Sequence, residues 1–358
     1  MLAAAIACFW PSLSYYTAIT TNEHLAMLGM LLTSYLGVCA WQCREKRWLC
    51  VALVLLAGLS AGATDLFKQF SPVFLIAAFG TGLLFLLIDH KKQKGEPRAE
   101  AAKRRRKLGK QILCLILAVA VMFGAAAGVK EIAYRWLEGY LDLPVARSAT
   151  AHFLWIGLNS KGGGMWTEEE GMKVYEFAEQ YDNDYDKVMD SLTALLKADL
   201  KENRDKLPET LRNKMSEDWQ ADLGVSLWVK SLYDEEIAMQ EENPDEPLPS
   251  YITRAERDLY DFDVGLKITK ASAALYVCVM GLVALGALLA LFLRVPAETY
   301  LRLVFYGYAL LFLLSEAQGR YQVVLFPIFA LLAAGAAENA GTLPWRYRKT
   351  TTHEGGSN

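Results

Sequence analysis

The centre of this chain has no cysteine. All six, Cys8, Cys39, Cys43, Cys50, Cys114 and Cys278, lie in apolar runs or at their edges. The charged central block is therefore not a disulfide-stapled domain. Cys39 and Cys43 have neither a second cysteine pair nor a nearby histidine, which removes a zinc site; small cysteines in membrane helices are the plain reading. The Met1 end has no basic stretch before its apolar residues and soon meets Pro11, unlike a cleaved signal peptide. No segment repeats at a fixed period. Gly157–Gly164, read GLNSKGGG, lacks the GK[ST] ending of a phosphate loop and is expected to form a turn or a mobile outer loop. Neither charge sign dominates: 37 Lys and Arg face 40 Asp and Glu.

Hydrophobic residues make up 53% of the 358 positions, charged residues 22%, and the mean hydropathy is +0.17. That average joins two populations: apolar runs too long for soluble core helices, and a highly charged middle. A single soluble domain could not bury all the runs, and 11% aromatic residues exclude a disordered chain. A bilayer span needs about 20 mostly apolar residues. Candidates fall at 1–19, 23–41, 48–65, 71–90, 111–129, 271–293, 301–315 and 321–338. The first and the seventh read as short, tilted or broken helices. The expected fold is an all-α polytopic membrane protein with about eight transmembrane helices and one helical extracytoplasmic insertion.

Orientation follows the lysines and arginines. Ten of them lie in 91–110, between two spans, which makes this stretch a cytoplasmic loop. It lacks interleaved aromatics, so nucleic acid is not the expected partner. Alternation then puts Arg44, Lys46 and Arg47 inside, with Arg294 and the tail carrying Arg346, Arg348 and Lys349. It puts Thr21–His24, Asp65–Phe70, Ser315–Arg320 and the block 130–270 outside. The organisation is thus membrane helices over 1–129, an extracytoplasmic helical subdomain over 130–270, membrane helices over 271–340 and a cytoplasmic tail over 341–358. Within the insertion, 151–159 is short and apolar enough to pack or lie at the interface. Thr167 before Glu168, Glu169 and Glu170 is an N-cap signal. Helices are expected over 168–181, 184–202 and 208–240, followed by a proline-rich acidic loop.

Three outer turns carry candidate chemistry. Glu23 and His24 sit where two spans surface, and ionisable groups at membrane depth commonly face a polar cavity; a solvated turn is the alternative. Lys68 can snorkel or meet a lipid phosphate. Glu316 and Arg320 are four apart and share a face if helical. They can pair to shape the turn, or Arg320 can reach a phosphate with Tyr321 beside it.

These residues carry a resemblance. Pro11 followed by Thr21-Asn22-Glu23 is similar to the proline-then-Glu membrane segment of bacterial GT-C glycosyltransferases. Glu316-x-x-x-Arg320-Tyr321 followed by Pro327 resembles their late Glu…Arg-Tyr…Pro segment. His152-Phe-Leu-Trp-Ile-Gly-Leu-Asn159 with Gly164-x-Trp166-x-x-Glu169 resembles an outer-loop signature of Gram-positive family 39 members, akin to protein mannosyltransferases. The resemblance implies a multi-pass enzyme of the plasma membrane. It would take a sugar from a polyprenyl-phosphate donor and pass it to an envelope glycan, lipid or protein acceptor on the outer face. A carboxylate base would deprotonate the acceptor hydroxyl, and cations or a divalent metal would stabilise the departing phosphate. Lys68, Arg320 and Tyr321 are then expected to bind the lipid phosphate, with Glu23, His24, His152 and Glu316 around the cavity. The family's acidic first outer loop has no counterpart before Pro11. The chain therefore reads as the C-terminal part of such an enzyme, with a missing N-terminal half as a partner, and no catalytic base is transferred to it. A polymerase or ligase, a flippase and a non-catalytic membrane partner stay open as alternatives.

Overall fold

The computed structural model describes residues 1–11, 13, 22–92, 98–143, 145–219, 262–290, 295–316 and 319–354. After a short helix α1 (Leu2–Cys8) come α2 (Asn22–Gln42), α3 (Arg47–Asp65), α4 (Ser71–Lys92) and α5 (Arg98–Leu141). The insertion holds α6 (Thr150–Leu158), α7 (Glu168–Gly171), α8 (Lys173–Gln180), α9 (Tyr185–Glu202) and α10 (Leu207–Trp219). The chain then forms α11 (Phe262–Leu289), α12 (Pro296–Leu314), a 3-10 helix (Gly319–Leu325) and α13 (Phe326–Glu354). No strand occurs among the described residues.

Seven helices, α2, α3, α4, α5, α11, α12 and α13, are long and apolar enough to cross a membrane. Their outward faces are apolar as well. Only 11% of the most apolar window of α5 is buried, and Leu113, Leu117 and Phe123 stand more than half exposed. A surface of that kind is tolerated in lipid and not in water. The chain is an all-α polytopic membrane protein. The expected first span, 1–19, yields α1 and then passes outside the described residues.

Several boundaries differ from expectation. The basic stretch 91–110 is not all loop: α5 starts at Arg98, because its Ala, Glu, Lys and Arg residues are strong helix formers. At 44 residues α5 is about 66 Å long, well beyond a bilayer core. The short seventh span gains a turn from Pro296 at the first helical position and reaches 19 residues. Glu298 and Arg302 pair along the helix at 3.0 Å, and Asn339 of α13 donates to Glu298 at 2.6 Å. The backbone of the expected tail 341–358 continues α13 as far as Glu354. Of the helix expected over 208–240 the described part is α10; 220–261, with the acidic proline-rich loop, and the turn at Arg294 lie outside the described residues.

Small residues let the helices close on one another. Gly58 and Gly62 of α3 face α5 so tightly that a Cβ would fall 2.5 Å from the Met122 carbonyl and 2.6 Å from that of Ala126. This G-x-x-x-G spacing is a membrane-helix packing device. Between α2 and α3, Thr33 donates to Ser60 Oγ at 2.9 Å.

The turn from α3 to α4 is organised by Asp65. Its fully buried carboxylate accepts from the Phe70 and Ser71 amides, both at 2.7 Å, and from the Ser71 hydroxyl at 2.6 Å. Lys130 of α5 completes the shell at 2.9 Å. One side chain thus caps α4 and ties α3, α4 and α5 at the end of the bundle that carries the insertion.

The insertion has its own core of Trp155, Ile156, Val188, Leu192 and Leu196. Thr167 caps α7 through the Glu170 amide as expected. The GLNSKGGG segment is a packed turn: Asn159 bonds the carbonyls of Trp155 and Ile156 and the Gly162 amide, and Asp199 holds Ser160 at 2.8 Å. Arg147 folds the connector back onto Glu131 and Glu138 of α5.

Two contacts join insertion and bundle. Gly157 lies against the end of α12, where a Cβ would sit 2.4 Å from the Ser315 backbone. Helix α10 leaves the insertion and enters the bundle. Its Lys214 is wholly buried and donates to the carbonyls of Gly157 at 2.9 Å, of Leu313 at 2.7 Å, and of Ser315. The ammonium thereby satisfies the closing carbonyls of α6 and α12 and meets the negative ends of both helix dipoles. Five residues on, Trp219 packs among Phe305, Phe312 and Phe329. Replacing Lys214 by Met keeps the stem and leaves three buried acceptors without their donor, a loss of roughly 3 kcal/mol or more. We expect a lower melting temperature for the full chain in detergent and faster tryptic cleavage within 150–219 than in the wild type.

Candidate functional site

The turn fixed by Asp65 aims Lys68 across the end of the bundle. Its ammonium lies 2.6 Å from Glu23, in the first turn of α2, and 4.0 Å from the centre of the Tyr321 ring. The Tyr321 hydroxyl donates to Glu316 at 3.1 Å. The result is a continuous chain from Glu23 through Lys68 and Tyr321 to Glu316. It brings together α2, the α3–α4 turn, the end of α12 and the 3-10 helix. Four residues separated by up to 298 positions in sequence (Glu23 to Tyr321) meet in one place.

Burial gives this chain its electrostatic weight. The side chain of Glu23 is 6% exposed and that of Lys68 is 19% exposed. Removing either partner would strand a charge in a poorly hydrated place, at a cost well above that of a surface pair. Lys68 is also held by the face of Tyr321, a cation–π contact that strengthens as water is excluded. The phenol, bonded to a carboxylate, is locked in the orientation that offers its ring to the ammonium.

The other expected residues fare differently. His24 is half-buried, next to Glu23 on α2. Arg320 falls in the 3-10 helix, and its side chain lies outside the described residues. Glu316 and Arg320 do not share one α-helix: Glu316 is non-helical and the 3-10 turns begin at Gly319. Gly319 precedes Arg320 directly, and glycine disfavours a continuous α-helix here. Thr21 lies outside the described residues. His152 belongs to the insertion. It is half-buried on α6, near Phe153, and its Nδ1 is buried with no hydrogen-bond partner. It makes none of the contacts of the Glu23–Glu316 chain.

Two features were missed at the level of sequence. Lys130 and Lys214 look like ordinary helix cations, and only tertiary geometry shows the half-buried Lys130 paired with Asp65 and the buried Lys214 set against the closing carbonyls. A lysine near the start of an apolar-to-charged transition, as Lys130 is, was the available signal. Among the described residues no three of His, Cys, Asp and Glu form a group that could hold a metal ion.

Comparison with protein-family models, with curated proteins and with solved structures yields no match for this chain. The class that the fold defines is the all-α polytopic membrane protein, and the site is a carboxylate–ammonium–phenol–carboxylate chain at one end of its bundle.

Burial lowers the His152 pKa from its ordinary value of 6.5. A histidine that resists protonation when folded binds more protons when unfolded, so it withdraws stability as the pH falls below 6.5. We expect the melting temperature to drop between pH 7 and pH 5 by more in the wild type than in His152→Asn, which cannot titrate there. Parallel curves would show that His152 does not carry that dependence.

Proposed function

We propose that this protein binds a polyprenyl-phosphate-linked sugar at the insertion end of its bundle and takes part in passing that sugar to an envelope acceptor. The observation that carries the reading is the meeting of Lys68, Tyr321, Glu23 and Glu316 at one membrane-proximal place. The motif resemblances described above contain three of these residues, Glu23, Glu316 and Tyr321. In this reading the insertion end faces outward from the plasma membrane, and the basic end, with Arg44, Arg47 and the start of α5, faces the cytoplasm.

The chemistry asks for these groups. A polyprenyl chain lies among apolar helices while its phosphate meets a cation. Lys68 supplies that cation by exchanging Glu23 for the phosphate, and Tyr321 supports the ammonium throughout. In the transfer, the acceptor oxygen bonds to the anomeric carbon and the carbon–oxygen bond to phosphate breaks. The electron pair leaves on the phosphate, where a cation stabilises it. The acceptor proton goes to a carboxylate, and Glu23 and Glu316 are the two carboxylates in contact with the cation chain. A divalent metal remains compatible with the reaction.

A second reading, a non-catalytic partner in envelope assembly, is favoured by one observation. Lys68 is already paired and stacked, and a chain of this kind also serves as a structural lock.

Binding separates the two. The full chain in phosphatidylcholine nanodiscs should bind a photoreactive polyprenyl phosphate. Lys68→Met should weaken that binding about 10- to 150-fold, the loss of one charge-assisted contact of roughly 1.5–3 kcal/mol. Tyr321→Phe should change it less, because the ring remains. Unchanged labelling in a folded Lys68→Met protein would favour the structural lock.

Sidedness is tested separately. In a cysteine-free background, Lys201→Cys on the exposed insertion surface should react with an impermeant thiol reagent in intact cells, and Lys46→Cys only after lysis. The reverse pattern would invert the proposed orientation.

A further inference from the structure

At the basic end of the bundle, opposite the site described above, α2, α3, α4, α5 and α12 leave a cavity of about 530 Å³ between them. That lies inside the range of about 300–1,000 Å³ typical of small-molecule sites. The walls are apolar, and small residues make the room: Gly37, Ala40, Ala57 and Ala78 stand where larger side chains would fill it. Its mouth is different. Among the described residues, Arg44, Lys107 and Lys110 line it with one carboxylate, Glu45. Arg44 is held there, donating to the Trp41 carbonyl at 3.2 Å with its guanidinium 5.0 Å from the Trp41 ring centre. Deeper in, Thr81 is 6% exposed, and its hydroxyl is buried without a hydrogen-bond partner.

An apolar interior with a cationic rim, opened between membrane helices, is the complement of an anionic amphiphile. We propose that this cavity is a binding site for an anionic phospholipid of the leaflet at the basic end. One acyl chain lies between α2, α4 and α5. The phosphate sits among Arg44, Lys107 and Lys110, and Thr81 donates to an ester carbonyl of the bound lipid. Lipid chains are as apolar as the cavity wall, so the selectivity comes from the rim. Three cations near one phosphate should favour an anionic over a zwitterionic headgroup by on the order of 100-fold. The site is independent of the polyprenyl-phosphate reading: Arg44 follows the C-terminal end of α2, whereas Glu23 stands in its first turn.

The test uses the full chain in phosphatidylcholine nanodiscs, titrated with phosphatidylglycerol of the same acyl chains. Bound lipids are counted by native mass spectrometry, and the melting temperature is followed. The expected result is retention of phosphatidylglycerol, with stabilisation that phosphatidylcholine does not give. The triple variant R44Q/K107Q/K110Q alters only exposed side chains, so it should fold and lose most of the roughly 100-fold preference. Gly37→Leu should lower retention with the rim intact, since a Cβ at 37 meets only Tyr300, no nearer than 3.7 Å. Equal retention of the two lipids, or an undiminished preference in the folded triple variant, would overturn the site. So would stabilisation by inorganic phosphate equal to that by the lipid, which would leave the apolar cavity without a role.

Discussion

Much of the insertion end depends on the buried carboxylate of Asp65. It accepts three hydrogen bonds from the first residues of α4 and the approach to them, and it pairs with Lys130 on α5. A carboxylate without exposure is costly unless every lone pair is used, and here the capping geometry uses them. The consequence is a turn with little freedom. That turn holds Lys68, and through Lys68 it reaches Glu23 on α2 and Tyr321 on the 3-10 helix. If Asp65 were neutral, α4 would lose its cap, Lys130 would face a buried vacancy, and the aim of Lys68 would be lost with them.

The same logic recurs where the insertion meets the bundle. Lys214 is a wholly buried ammonium that donates to three main-chain carbonyls. These are the closing carbonyls of two helices, groups that would otherwise end unsatisfied. Trp219 extends that anchorage into the aromatic interior of α12 and α13. The insertion is therefore fastened from within by α10, rather than resting on the membrane through α6 alone. Both Asp65 and Lys214 convert a buried charge from a penalty into a positional constraint.

Seven of the expected spans were legible from the sequence because twenty apolar residues have few other uses, and the helices of 150–219 were legible from their caps and periodicity. Three of the four members of the contact chain, Glu23, Lys68 and Tyr321, drew notice as polar groups at the ends of spans, and Glu316 through its spacing to Arg320. Their mutual pairing was not legible, since it needs the relative rotation of four elements. Helix α12 begins before the expected 301, at Pro296, and its added turn brings in Glu298, a charge that counts against a span in any sum over residues yet pairs with Arg302 on the same face. The role of Lys214 could not be read at all, because its partners are backbone carbonyls with no side-chain signature. Across 98–110 helical propensity prevails over the repulsion of a basic run, and α5 starts at Arg98.

The central claim is that the carboxylate–ammonium–phenol chain receives the phosphate of a polyprenyl carrier. The most direct measurement is a cryo-electron microscopy structure of the full chain in nanodiscs saturated with a polyprenyl phosphate. The account predicts phosphate density within about 3 Å of the Lys68 ammonium, with Glu23 released from Lys68 and the Tyr321 ring still beneath the ammonium. A carrier bound elsewhere, with Lys68 still closed on Glu23, would contradict it.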